Sequence, residues 1–129
     1  MPETELPRPT DAELEILKVL WRRGPSTVRE VFETLGEARG TGYTTVLKLM
    51  QIMAEKGLVV RDESERAHRY EAVPAEDETQ RRLVGDLLRK AFDGSARKLV
   101  LHALSAERAT AEELMEIRRM LDELERGRR

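Results

Sequence analysis

The chain contains no cysteine, and aromatic residues fill only 4% of its 129 positions. The lack of cysteine excludes disulfides, cysteine catalysis, thiol redox sensing and thiolate metal sites. Few aromatic residues beside 37% charged residues favour a well-solvated helical chain over an all-β core. No apolar run reaches membrane-spanning length, and the polar N-terminus lacks a signal-peptide pattern, so we expect a cytoplasmic protein that does not bind a membrane.

An excess of basic charge is also absent. The formal net charge is −2; residues 10–72 carry ten basic and eleven acidic residues, and residues 73–129 carry twelve of each. The length suits one ordinary domain, or two small ones that need help from a partner. Any nucleic-acid binding must therefore depend on where individual charges lie, and not on bulk charge.

The residue patterns of an active site are missing as well. His68 and His102 are the only histidines, they fall in different predicted domains, and neither has a second histidine four residues away. The chain has no glycine-rich phosphate loop and no serine in a nucleophile elbow. We therefore predict a protein that is not an enzyme and that binds no metal or cofactor.

The most informative stretch that is present is TGYTTVLKLMQIMAEKG, residues 41–57. In a helix its apolar residues fall on one side, namely Val46, Leu49, Met50 and Met53. The other side carries Thr44, Lys48, Gln51 and Glu55, with Thr45 at the flank. The first half of this side therefore consists of short hydroxyls and one lysine. Such side chains can approach a base edge or a phosphate without steric bulk. The pattern suits a recognition helix in the DNA major groove, although an ordinary amphipathic core helix has the same pattern.

Two further helices are predicted upstream of this stretch. Capping boxes at Thr10 and Glu13 and at Thr27 and Glu30 mark their starts, and Gly24-Pro25 and Gly36 mark their ends. Residues 37–42 contain two glycines and are predicted to form a turn. Three short helices with glycine-bearing joints are what a helix-turn-helix unit requires.

After Gly57 the pattern changes to that of two short strands, residues 58–62 and 67–73. A hairpin directly after the third helix is a wing. It offers basic side chains to a phosphate backbone: Arg66, His68 and Arg69, with Arg61 across the hairpin. The alternative for each of these charges is a solvated hairpin surface, and the neighbouring carboxylates Asp62, Glu63 and Glu65 reduce the local positive field.

The C-terminal part carries three more helical patterns, which start near residue 75, at Ser95 and at the capping box of Thr110 and Glu113. Their apolar residues recur at the spacing of a packed seam: Leu83, Leu87, Leu99, Leu114, Ile117, Leu121 and Leu124. This region is too small to bury these side chains as a monomer, which predicts a homodimer. A two-fold dimer also holds two recognition helices about one turn of DNA apart.

Together these patterns predict a mainly α protein, with an N-terminal winged helix-turn-helix bearing a two-stranded β wing and a three-helix C-terminal dimerisation region. Residues 1–9 are predicted to be a flexible arm and residues 10–73 the winged-helix DNA-binding domain. Residues 74–129 are predicted to be the helical dimerisation domain, which ends in the basic tail RGRR.

The segments TDAELEILKVLWRRGPSTVREVFETL and GYTTVLKLMQIMAEKGLVVRDESERAHRYEAV resemble the penicillinase-repressor family (BlaI/MecI/CopY transcriptional regulators). The resemblance covers residues 8–73 strongly and extends weakly to the C-terminus. It implies a homodimeric winged-helix repressor that binds a palindromic operator in double-stranded DNA until a signal removes it. It places DNA contacts on Tyr43, Thr44, Thr45 and Lys48, with Arg66, His68 and Arg69 as candidates in the wing.

Two departures from the family leave the releasing signal open. The antibiotic-sensing members are inactivated by a protease of a signalling pathway at an Asn-Phe bond in the short fifth helix, and the matching position here is His102-Ala103. A protease remains a candidate partner, but it would have to accept a different bond. The copper-sensing members use C-terminal cysteine pairs, which this chain lacks, so thiolate copper sensing is excluded.

Two alternatives share the winged fold. One is a helical adaptor that binds protein without specific DNA binding, because a fold alone does not decide function and the charge is balanced. The other adds a small-molecule pocket between the two parts, for which the sequence shows no polar cluster. The salt dependence of binding to duplex DNA separates the adaptor from the repressor.

Overall fold

The computed structural model describes residues 6–36 and 40–128. Over these residues the elements follow in the order α1 (Asp11–Arg23), α2 (Val28–Leu35), α3 (Tyr43–Lys56), β1 (Val59–Asp62), β2 (Arg69–Ala72), α4 (Glu76–Phe92), α5 (Ala96–Ala106) and α6 (Ala111–Gly127). The mainly α winged-helix fold predicted from the sequence is confirmed. None of the described helices is both long enough and apolar enough to cross a membrane.

All three predicted capping boxes are formed. The hydroxyls of Thr10, Thr27 and Thr110 each accept a hydrogen bond from the backbone N–H three residues later, and the glutamate there accepts one from the threonine N–H. In α1 these two distances are 3.2 Å and 2.9 Å. Each box satisfies two backbone donors that a helix leaves without partners at its start, and so fixes where that helix begins.

The exit from α3 is a tight turn at Gly57. Its φ of 88° lies in the left-handed region, which glycine adopts without steric cost. The Leu58 N–H then donates to the Met53 carbonyl at 2.9 Å, which closes the last turn of α3. The chain therefore passes from α3 into β1 without a loop, and the wing starts directly beside the third helix.

The core of the N-terminal half lies between α1, α2, α3 and the two strands. Its buried apolar residues are Ile16, Leu17, Val19, Leu20, Val28, Val31, Val46, Met50, Met53, Leu58, Val59 and Tyr70. On α3 the apolar side predicted from the sequence is the buried one, with Leu49 half-buried at its margin. Burial of this side fixes the rotation of α3 about its own axis.

One carboxylate is buried within this core. Glu13 is 2% exposed and accepts hydrogen bonds from the Lys56 ammonium at 2.8 Å and the Thr10 N–H at 2.9 Å. Burial raises the pKa of this carboxyl, but the hydrogen bonds from Lys56 and Thr10 outweigh burial and leave the pKa below its ordinary value. The pair joins the start of α1 to the end of α3.

The wing is joined to the connection between α1 and α2 by one backbone bridge. Ser26 and Tyr70 are both buried and exchange two N–H···O bonds, of 3.0 Å and 2.8 Å. The strands β1 and β2 are antiparallel, with Val59 opposite Ala72 and Asp62 opposite Arg69. They are shorter than predicted: residues 67 and 68 lie outside β2, in the loop between the strands.

The described residues up to Leu83 form one compact unit, and those from Val84 onward form a second. This division falls within α4, ten residues beyond the predicted boundary after residue 73. The first turns of α4 belong to the first unit because Thr79 is buried and the Arg82 guanidinium donates to the Leu6 carbonyl at 2.6 Å. The boundary at residue 73 remains a prediction of where the DNA-binding sequence ends.

Some predicted features fall partly outside the described residues. Leu6 packs against the core, so the described part of the predicted flexible arm has defined contacts. Residues 1–5 of that arm, residues 37–39 of the predicted turn and the last residue of the basic tail lie outside the described part of the chain.

The second unit has little interior of its own. Neither α5 nor α6 contains a buried residue. Of the seam predicted from the sequence, Leu99 and Ile117 are half-buried in this unit. The other predicted seam residues of the unit are exposed, namely Leu87, Leu114, Leu121 and Leu124. Leu83, the last residue of the first unit, is half-buried. Val100 and Ala103 of α5 are also exposed.

We predict that Glu13→Gln lowers the free energy of unfolding by about 1–2 kcal/mol at neutral pH, because it removes a charge-assisted hydrogen bond from a buried site. A lowered folded-state pKa stabilises the fold above the unfolded-state pKa, and this contribution is lost as the pH falls through the folded-state value. The difference from wild type should therefore shrink in acid. Urea denaturation followed by circular dichroism at neutral and acidic pH measures it.

Glu55→Gln is the matched control, since Glu55 is an exposed glutamate on α3. Its effect should stay within about 0.5 kcal/mol at either pH. Equal losses in the two variants at neutral pH would show that the Glu13 and Lys56 pair does not stabilise the fold.

Candidate nucleic-acid interface

The exposed side of α3 carries the residues that the sequence proposed for DNA. Thr44, Thr45 and Lys48 are exposed, because Val46 and Met50 occupy the buried side of the same turns. Lys48 forms no ion pair with any residue that the structure describes. The exposed side becomes acidic at Glu55, so its neutral and positive portion is confined to the first turns of the helix.

A groove of about 770 Å³ lies beside α3, between α2 and the wing. Its lining includes Tyr43 and Gln51 from α3, Arg29 from α2, and Arg66 and His68 from the loop of the wing. The structure therefore brings four of the sequence candidates into one concave surface: Tyr43, Arg61, Arg66 and His68. Thr44, Thr45 and Lys48 are not part of its lining and lie elsewhere on the exposed surface of α3.

The ring of Tyr43 is held on two sides. Its centroid lies 5.9 Å from that of Phe32 at an interplanar angle of 82°, and the Arg29 guanidinium carbon lies 4.9 Å from the Tyr43 centroid. The residue keeps 36% of its surface exposed. An edge-on aromatic contact and a cation over the ring are both favourable, so Tyr43 is anchored at the start of α3.

The arginines of the wing differ in what they contact. Arg61 donates to Glu63 at 2.7 Å, and its hydrogen bonds with Tyr70 and Glu63 raise its pKa. Within the described part of the chain Arg66 forms no ion pair. The structure therefore leaves the charge of Arg66 available, whereas that of Arg61 is neutralised inside the wing.

Arg69 connects the wing to α2. Its guanidinium lies 3.3 Å from Glu30 and 3.6 Å from Glu65. The backbone hydrogen bond from Thr27, together with the positive charges of Arg69 and Arg23, holds the pKa of the Glu30 carboxyl below its ordinary value. A phosphate that binds Arg69 would therefore compete with a carboxylate that is already ionised.

The sequence reasoning did not single out Arg29 or the pairing of Arg69. Arg29 follows the capping threonine of α2 by two residues, and nothing in that local pattern shows that α3 brings an aromatic ring beneath it. The partner of Arg69 lies 39 residues away along the chain. Both contacts depend on how the helices and the wing pack, which no periodicity in the sequence records.

The arrangement can accept a polyanion although the chain is acidic overall. Two carboxylates of the wing are paired with arginines, Glu63 with Arg61 and Glu65 with Arg69, and Asp62 accepts a hydrogen bond from the Ser64 N–H at 2.9 Å. The backbone hydrogen bond from Ser64 holds the pKa of Asp62 below its ordinary value. Among the described residues of α2, α3 and the loop of the wing, the cations that form no ion pair are Lys48 of α3, Arg66 of the wing and Arg29 of α2.

Comparison with known proteins shows the family to which the chain belongs. The chain matches the penicillinase repressor family over residues 9–123. It is 40% identical over 124 residues to the transcriptional regulator BlaI of Mycobacterium tuberculosis, covering 95% of this chain and 89% of that protein. It is 26% identical over 121 residues to the penicillinase repressor of Bacillus licheniformis, covering 92% and 93% of the two chains.

A solved structure supports the fold. The solution structure of the DNA-binding domain of the repressor BlaI is similar to 57% of this chain and 90% of its own, with a TM-score of 0.51 and 24% sequence identity. The match over most of the chain and the identity to the mycobacterial regulator together establish the relationship. The chain belongs to the penicillinase repressor family of transcriptional regulators.

Proposed function

We propose that this chain is a DNA-binding transcriptional repressor, which binds a palindromic operator as a homodimer in the cytoplasm and is released by an inducing signal. The observation that carries the proposal is the exposed surface of Thr44, Thr45 and Lys48 at the start of a helix whose opposite side is buried. Recognition helices of winged and helix-turn-helix proteins contact base edges through their N-terminal residues. Family membership supports the same function.

The candidate DNA-binding side chains form two groups, one on α3 and one in the wing. Thr44, Thr45 and Lys48 can reach base edges or phosphates from the major groove, because hydroxyls pair with either kind of edge and lysine donates to guanine. Arg66 and His68 lie in the loop of the wing, where a phosphate backbone passes in a winged helix. Arg69 can contact a phosphate only when its ion pair with Glu30 breaks. Tyr43 starts α3 and also lines the groove with Arg66 and His68.

The second unit supports the homodimer. Its large exposed apolar side chains include Leu121 at 57% and Leu124 at 66%. Apolar side chains that recur along one side of α6 form a seam, and an exposed seam is buried most simply against a second copy by two-fold symmetry. A symmetric dimer then accounts for a palindromic operator, since each protomer reads one half-site.

A protease of a signalling pathway is one candidate for the release of the repressor. The His102-Ala103 bond lies within α5, and both side chains are exposed. Proteases cleave extended backbone, so α5 would have to open locally. The absence of buried residues in α5 lowers the cost of such opening.

We predict that Lys48→Ala weakens operator binding about tenfold or more, because each lost contact to DNA costs ~1–3 kcal/mol. The probe is a labelled duplex carrying the sequence that the wild-type chain selects from a random pool. Fluorescence anisotropy gives the affinity, and analytical ultracentrifugation should show an unchanged dimer.

Lys18→Ala is the matched control: it removes a half-buried lysine of α1 that pairs with Glu15 and lies outside the groove. Its affinity should equal that of wild type. Wild-type affinity in Lys48→Ala would remove Lys48 from the interface. If the wild-type chain shows no salt dependence on any duplex, phosphate contacts are absent and the chain is an adaptor for proteins.

We predict that Arg66→Ala weakens binding to selected and unrelated duplexes by similar factors, because a phosphate contact carries no base information directly. Titrations of both duplexes at one salt concentration measure the two factors. A loss confined to the selected duplex would instead mean that the wing reads bases.

We predict that Leu121→Glu dissociates the dimer and lowers operator affinity, because it places a charge in the apolar seam of α6. Arg119→Glu is the control, since Arg119 lies on the opposite side of the same helix and is exposed. Analytical ultracentrifugation should show monomer for the first variant and dimer for the second. A stable Leu121→Glu dimer would place the interface elsewhere.

A further inference from the structure

Arg29, whose guanidinium lies over the Tyr43 ring, is exposed and carries a charge that no described carboxylate neutralises. Arg29 lies in the first turn of α2, its side chain is exposed, and it forms no ion pair within the described residues. Arg61 and Arg69 of the same unit are paired with carboxylates, whereas Arg66 in the loop of the wing forms no ion pair with a described residue. Arg29 keeps its full charge beside the helix that carries the candidate DNA contacts.

We propose that Arg29 binds a phosphate of the operator backbone and that Tyr43 is the platform that positions its guanidinium. The proposal rests on the proposed function, because it assigns a further residue to the same interface. It also changes the role of Tyr43 from that of a residue that reads DNA to that of a positioning residue.

The contact between the two side chains supports a positioning role. Phe32 contacts the Tyr43 ring edge-on, and the Arg29 guanidinium lies over that ring. A guanidinium held over an aromatic ring keeps its N–H groups available around its edge, and these can donate in pairs to phosphate oxygens. Because the side chain is already confined, less rotamer entropy is lost when a phosphate binds.

The location of Arg29 fits a backbone contact. Arg29 from α2 and Arg66 from the wing line the same groove beside α3, so unpaired guanidinium groups enter it from both flanking elements. Two carboxylates also line the groove. Glu30 is occupied by Arg69 and Arg23, whereas Glu33 is exposed and lies beyond ion-pair distance of Arg29. The groove therefore retains a positive contribution where a DNA strand would pass.

The alternative is a purely structural role, in which Arg29 only stabilises the packing of α2 against α3. An exposed cation–π contact stabilises the fold modestly, so removing it would lower the melting temperature without changing how binding depends on salt. A phosphate contact has the opposite signature: it releases counterions, and its loss reduces the slope of log affinity against log salt. The two explanations therefore differ in a measurable quantity.

The test uses the full-length chain and the labelled duplex selected by wild type, titrated between about 50 and 200 mM salt. Arg29→Ala should weaken binding at least several-fold and reduce the salt slope by about one for each protomer bound. Tyr43→Leu, which removes the ring, should reduce the slope to a similar extent, and the double variant should lose no more than either single variant. Tyr43→Phe keeps the ring and should keep the wild-type slope.

Arg22→Ala is the matched control, because Arg22 is an exposed arginine of α1 outside the groove. It should leave the affinity and slope unchanged.

Circular dichroism identifies any variant that does not fold; if Tyr43→Leu is one, Arg29→Ala and Tyr43→Phe still decide the result. A wild-type slope in Arg29→Ala overturns the phosphate contact. An equal loss in Tyr43→Phe and Tyr43→Leu overturns the platform, since the hydroxyl would then be the contact. Salt-independent binding by wild type would overturn the proposed function itself.

Discussion

The burial of one side of α3 is the constraint on which the rest of the structure depends. Val46, Met50 and Met53 are at most 1% exposed. Rotating the helix by one residue would bring a methionine or valine into water at a cost of about 1.5–3 kcal/mol for each side chain fully exposed. The core therefore decides which residues of α3 face outward, and the pair of Glu13 and Lys56 holds the far end of the helix in the same position.

The distribution of ion pairs explains how an acidic chain can present a surface suited to DNA. The net charge counts every charged residue equally, whereas a bound phosphate interacts mainly with nearby charges that are not already paired. In the wing, arginines and carboxylates largely neutralise each other, and the contact of Arg69 with Glu30 joins β2 to α2. Charge that holds the wing in place is less available to DNA, so the paired Arg61 and Arg69 differ in this respect from Arg29 and Arg66, which form no ion pair with a described residue.

Local signals in the sequence predicted most of the fold. The three threonine capping boxes, the glycine exits and the two sides of α3 each depend on residues a few positions apart, and all are found as predicted. The sequence did not locate the contact of Arg29 with Tyr43, the pairing of Arg69 with Glu30, or the packing of Thr79 and Arg82 in the first unit. These contacts arise between elements that are distant along the chain, so they depend on tertiary packing. The roles of Thr44, Thr45 and Lys48 remain predictions.

The lack of buried residues in α5 and α6 has a consequence for abundance. Helices without an interior gain little stability alone, so in the proposed dimer the folding of this region and the pairing of two chains share one equilibrium. Surplus protomers would then keep loosened C-terminal helices, which cellular proteases degrade more readily than a closed core. Turnover would fall most heavily on chains without a partner, and the cell would retain the regulator mainly in the paired form that occupies both half-sites.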